Sequence, residues 1–80
     1  MTEAEILAGI EEVARQHVGW EGSVRPEMLL ADDLELDSLK KLTLAVEVEN
    51  RFKICLDPES ETQILTVADL VAAIRSKLGD

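Results

Sequence analysis

The stretch that decides the fold is residues 31–52, ADDLELDSLKKLTLAVEVENRF. An acidic run ends at Asp37, and from Ser38 onward apolar residues recur at helical spacing. Asp37 is a good N-cap, because a short carboxylate can accept from backbone N–H groups in the first turn. Leu39, Leu42 and Val46, with a neighbouring face of Leu44, Ala45, Val48 and Phe52, supply a wide apolar stripe. A helix over 38–52 follows, with Leu39 entering the core.

The rest of the chain agrees with a helical protein. Residues 2–17 form a first helix. Thr2 and Glu5 have capping-box spacing, and Ile6, Ile10, Val13 and His17 recur on one side. Residues 66–78 form the last helix, capped by Thr66 with Asp69 in the capping-box position. Its buried face is Val67, Leu70, Val71, Ile74 and Leu78, and Gly79 ends it. Between the first two helices lies a long connection, 18–36. It carries Trp20, Val24, Met28, Leu29, Leu30, Leu34 and Leu36, so it is expected to pack on its own side chains. A helical turn is expected near 26–29, where Pro26 suits a first helical position. Residues 53–57 are a short apolar connection, and Pro58 opens a short helix over about 59–63. The expected fold is an all-α bundle of four helices, three main and one short, in a single domain over residues 1–80.

Composition narrows the function. A net charge of −9 on 80 residues disfavours nucleic-acid backbones and anionic lipid surfaces, and it favours partners with a positive patch. No signal peptide or membrane-spanning run is visible, so the chain is expected to be cytoplasmic. The single cysteine, Cys55, cannot close an internal disulfide and is read as small apolar filler. No Cys/His cluster offers a metal site. Asp32, Asp33, Glu35 and Asp37 lack the glycine and terminal glutamate of a calcium loop.

Ser38 has two readings. It is either an ordinary first-turn serine or the protein's working residue. As a catalytic nucleophile it would need a base and an orienting group. The one histidine, His17, is read as a partly buried helix-end residue, and there is no nucleophile elbow or phosphate loop. An enzyme is therefore not expected. As an acceptor modified by another enzyme, Ser38 needs no base of its own. A phosphate there would face the unpaired N–H groups of a helix start.

The stretch LLADDLELDSLKKLTLAVEVENRF, residues 29–52, with the ILTVADLVAAI run near the C-terminus, resembles the acyl carrier protein family. The resemblance covers essentially the whole chain. It implies that Ser38 carries 4′-phosphopantetheine, installed from coenzyme A by a phosphopantetheinyl transferase. The arm's thiol would then hold acyl groups as thioesters for acyl-loading, acyl-modifying and acyl-transferring enzymes of fatty-acid, polyketide or related specialised biosynthesis. Aminoacyl or peptidyl cargo, or an unmodified helical adaptor, are the alternatives. Leu44, Val48, Leu56, Ile64 and Leu70 are candidate cavity-lining residues, though plain core packing needs the same residue types. Asp37, Leu39, Lys40, Lys41, Thr43, Glu47 and Glu49 are candidate partner-recognition residues on a free-standing monomer.

The sequence also departs from that family. Lys40 and Lys41 follow Ser38 where carriers of general fatty-acid synthesis have an acidic helix, and Thr43 replaces a usual glutamate. These changes point to a specialised carrier. Glu35 stands where many members have glycine, and it is expected to stiffen or re-bend the loop.

Overall fold

A computed structural model describes residues 2–56 and 63–79. The elements are α1 (Glu3–Val13), which runs on into a wider π-helical turn at Ala14–Val18, then α2 (Ser38–Phe52) and α3 (Val67–Leu78). There is no strand among the described residues, only one isolated antiparallel bridge between Leu29 and Thr66. The short helix expected over about 59–63 falls almost wholly outside the described residues.

The helix starts follow from local chemistry. The Thr66 hydroxyl accepts from the Asp69 N–H, and the Asp69 carboxylate accepts in return from the Thr66 N–H. At α1 only half of this arrangement forms. The Thr2 hydroxyl accepts from the Glu5 N–H, but the Glu5 carboxylate meets that same hydroxyl instead of the Thr2 backbone. The ends are also locally set. Gly19 and Gly79 take left-handed backbone at φ 74° and 81°, and Lys53 does so at 57° without being glycine.

The core is built from Ile6, Ile10, Val13 and Ala14 of the first helical stretch, Leu44, Val48 and Phe52 of α2, and Val67, Leu70, Val71 and Ile74 of α3. The connection contributes Val24, Leu30, Leu34 and Leu36. The loop thus packs as expected, although Leu29 stays 39% exposed. It is also held by backbone bonds. Leu30 donates to Leu65, Val67 to Met28 and Ala68 to Pro26, at 3.0, 2.9 and 2.9 Å. On the other side the Val24 N–H donates to the Glu11 carboxylate at 3.2 Å. The N–H groups at the start of α3, which have no partner within their own helix, therefore clamp the loop.

Several expectations need correction. Residues 25–28 form a tight turn, with the Met28 N–H donating to Arg25 at 3.1 Å, in place of the helical turn expected near 26–29. Pro26 occupies the second turn position, where its fixed φ is equally suitable. Leu39 does not enter the core; it is 72% exposed, and Leu42 and Val46 are also exposed. The stripe on α2 is wider than the neighbouring helices can cover, so only its Leu44–Val48–Phe52 edge is buried. Cys55 is exposed, so it does not fill the core. His17 is exposed, with Nε2 3.5 Å from Glu47 of α2, and is not the partly buried helix-end residue expected.

Candidate functional site

Ser38 is the first helical residue of α2, and it is exposed. Its position is fixed from both sides. Before it, Leu34 and Leu36 are buried, and the Leu36 N–H donates to Leu30 at 3.3 Å. The Leu29 N–H donates to the Asp33 carboxylate at 2.7 Å, which closes the turn ahead of the serine. Asp37 then caps α2, accepting from the Lys40 N–H at 2.8 Å through its side chain and from the Lys41 N–H at 2.9 Å through its carbonyl. Between these features Glu35 has φ 54°. The loop is bent through left-handed backbone there, which glycine enters freely and glutamate does not.

Beside the serine lies a cavity of about 270 Å³, lined by Leu30, Ser38, Lys41, Leu42, Leu44, Ala45, Leu56, Ile64 and Leu70. That is close to the ~300 Å³ lower end of small-molecule pockets. Seven of its nine lining residues are apolar; the exceptions are Ser38 and Lys41. Of the candidate cavity residues, Leu44, Leu56, Ile64 and Leu70 line this space. Val48 is fully buried in the core and is not among the lining residues. Sequence reasoning misses Leu30, Leu42, Ala45 and Lys41 as lining residues. The spacing of Lys41 three residues after Ser38, on the same helix face, is the available signal for it.

The candidate recognition residues divide into two groups. Leu39 and Lys40 are exposed, and Lys41 is half-buried. Thr43 donates its hydroxyl to the Leu39 carbonyl at 2.9 Å. Glu47 lies 3.5 Å from His17 Nε2, and the Glu49 carboxylate accepts from the Leu56 N–H at 2.9 Å. Both glutamates thus have a partner within the chain. One faces the end of the first helical stretch, and the other holds the chain that leaves α2. Arg51 reaches across to Glu12 of α1 at 3.2 Å.

Asp69 is an ionisable group perturbed by its setting. The N–H groups of Leu65, then Thr66, hold its carboxyl below the usual carboxylate range, and the Thr66 hydroxyl adds to this against an opposing effect of desolvation. It is a structural carboxylate at the start of α3. No cluster of three metal-ligating side chains occurs among the described residues. The geometry around Ser38 offers one hydroxyl for attachment at a helix start and, next to it, a space suited to an apolar chain.

No family model matches the chain. Individual relatives do. The meromycolate extension acyl carrier protein of Mycobacterium bovis is 37% identical over 76 residues, which is 94% of this chain and 66% of that protein. The chain thus spans slightly less than two thirds of the length of that mycobacterial relative. An acyl carrier protein of an Exiguobacterium species is 33% identical over 79 residues, covering 98% of this chain and all of that protein. Among solved structures, a candidate acyl carrier protein from Mycobacterium tuberculosis superposes with a TM-score of 0.75 at 30% identity, covering 92% of this chain and 95% of that one. The fold and site define a helical carrier, and the chain belongs to the acyl carrier protein family. Members of that family carry a phosphopantetheine prosthetic group and act as carriers for biosynthetic enzymes.

Proposed function

We propose that this protein carries acyl groups as thioesters on a 4′-phosphopantetheine arm attached to Ser38, and that it has no catalytic activity of its own. The observation that carries this is the pairing of the exposed Ser38 hydroxyl with the apolar cavity at its side. The residues present suit the group. A helix start favours an anion on the serine, and the cavity walls suit an alkyl chain. When bound, the arm supplies the thiol that holds the cargo. The chain supplies the seat: Asp37 fixes the helix start, and Leu44, Leu56, Ile64 and Leu70 exclude water from the cargo.

Partners are a phosphopantetheinyl transferase and enzymes that load, modify and transfer acyl groups in fatty-acid or related lipid biosynthesis. Leu39, Leu42 and Val46 leave an apolar row on the outer face of α2, and Lys40 adds a cation beside it. Partners would dock there with a surface that is apolar at its centre and accepts positive charge. Cytoplasmic placement goes with this function and with the lone thiol of Cys55. In the described residues no helix is long and apolar enough to cross a membrane.

The test is direct. The protein is incubated with coenzyme A and a broad-specificity phosphopantetheinyl transferase, and its intact mass is measured. One pantetheine-phosphate adduct is expected, and none on Ser38→Ala. An unmodified wild-type chain, with the transferase shown active on a control carrier, refutes attachment at Ser38.

A further inference from the structure

Lys40 and Lys41 are adjacent in sequence, but the structure separates them. Lys40 is exposed and does not line the cavity, whereas Lys41 is half-buried and lines it together with Ser38. Lys41 is the only charged residue among those lining residues. Its ammonium has no ion pair among the described residues. A half-buried cation at an apolar opening without a counter-ion is an unfavourable arrangement. It is worse in the first turn of a helix, where the positive end of the helix dipole opposes it. Both costs are removed by one anion placed on the same face a turn away. Ser38 is three residues before Lys41, the spacing at which side chains on a helix are neighbours.

We propose that Lys41 is the positioning residue for the arm. It pairs with the phosphodiester on Ser38 and holds the start of the arm across the mouth of the cavity, so that the attached chain is directed inward. This rests on attachment at Ser38. It divides the lysine pair by role: Lys41 faces the arm, and Lys40 faces partners. No bond is made or broken by Lys41; its contribution is a charge-assisted hydrogen bond to a phosphate oxygen.

The consequence is a stability change on loading that depends on one of two neighbouring lysines. Wild type, Lys40→Met, Lys41→Met and Lys41→Arg are loaded with unacylated arm, loading is confirmed by intact mass, and apo and loaded melting midpoints are compared at low salt. Removing either lysine relieves the helix dipole. Lys41→Met also removes the burial cost that Lys40 does not carry, so its apo midpoint should rise more than that of Lys40→Met. The quantity compared is the further rise on loading. Loading is expected to raise the wild-type midpoint by about 2–5 °C, the range for one charge interaction near a helix end in a chain of this size. Lys40→Met and Lys41→Arg should keep that rise, and Lys41→Met should lose roughly half of it or more. In wild type the rise should shrink at about 0.5 M salt, because screening weakens a partly exposed ion pair. An equal rise in Lys41→Met and wild type overturns the proposal while leaving attachment intact. Should Lys41→Met fail to fold, a wild-type rise unchanged by salt overturns it instead. Absence of any adduct overturns attachment, and this proposal with it.

Discussion

The ring of Phe52 fills the space where a side chain at position 9 would go: a Cβ on Gly9 would lie 2.6 Å from Phe52 Cζ. This contact sets how closely α1 and α2 approach, and both residues are buried. Gly9→Ala should gain helix propensity of about 1 kcal/mol and lose more through overpacking, typically about 1–3 kcal/mol. Net destabilisation of about 1 kcal/mol is expected by urea denaturation. Phe52→Leu in the same chain should recover part of the Gly9→Ala loss, because the two sites share one space. Strict additivity would contradict this account of the crossing.

Two residues hold left-handed backbone without being glycine, Glu35 at φ 54° and Lys53 at φ 57°. Such a conformation costs roughly 1–2 kcal/mol for a residue with a Cβ, against about 0.5–1 kcal/mol of extra chain entropy when glycine is used instead. Glu35→Gly and Lys53→Gly should therefore each raise stability by up to about 1 kcal/mol, seen as a higher denaturation midpoint with an unchanged slope. A lowered midpoint in either variant would mean that the lost side chain matters more there than relief of backbone strain.

Acid should weaken the hold of α3 on the loop. The folded-state pKa of Asp69 lies below its unfolded value, because backbone donors favour the ionised form. Its contribution is therefore complete above the unfolded value, about 3.9 for an aspartate, and is lost as pH falls through the lowered folded value. Asp69→Asn should be less stable than wild type at pH 6 and should lose less on going to pH 3. Parallel curves for the two chains across that range would exclude Asp69 as a contributor to acid unfolding.

Exchanging Lys40 for glutamate should change which enzymes accept the carrier and should leave the fold intact, since Lys40 is exposed. Acyl transfer by general fatty-acid enzymes is expected to improve and transfer by the protein's own partners to fall, mostly through association rate. Identical kinetics with both sets would remove Lys40 from partner choice.

Filling the cavity should shorten the life of a bound thioester. Ala45→Phe places a large ring among the lining residues. Hydrolysis of a medium-chain acyl thioester on the loaded variant is expected to approach that of a thioester in water. A half-life equal to wild type would show that the cargo is not sheltered in this space.

Much of the fold is legible in the sequence because it is local. Asp37, Thr2 and Thr66 mark helix starts by side-chain chemistry within a few residues. Most of the buried sets follow from spacing, Ile6, Ile10 and Val13 on α1 and Val67, Leu70, Val71 and Ile74 on α3, whereas Leu78 is only half-buried and His17 is exposed. What is not legible depends on neighbours. On α2 the rows Leu39–Leu42–Val46 and Leu44–Val48–Phe52 are equally apolar, and only the placement of α1 and α3 decides which is covered. The two lysines differ from this case: spacing from Ser38 can separate them, whereas composition cannot. The π-helical turn at Ala14–Val18 leaves no compositional trace either.

The clamp on the long loop has a consequence for synthesis. The groups that hold residues 26–30 belong to residues 65–68. During translation, a ribosome that has already released α2 has still not delivered the partners that fix the loop leading into Ser38. The frame around the serine closes only when the last quarter of the chain emerges. With the arm placed on Ser38 as proposed, a nascent chain is expected to be a poor transferase substrate until residues 65–68 have emerged.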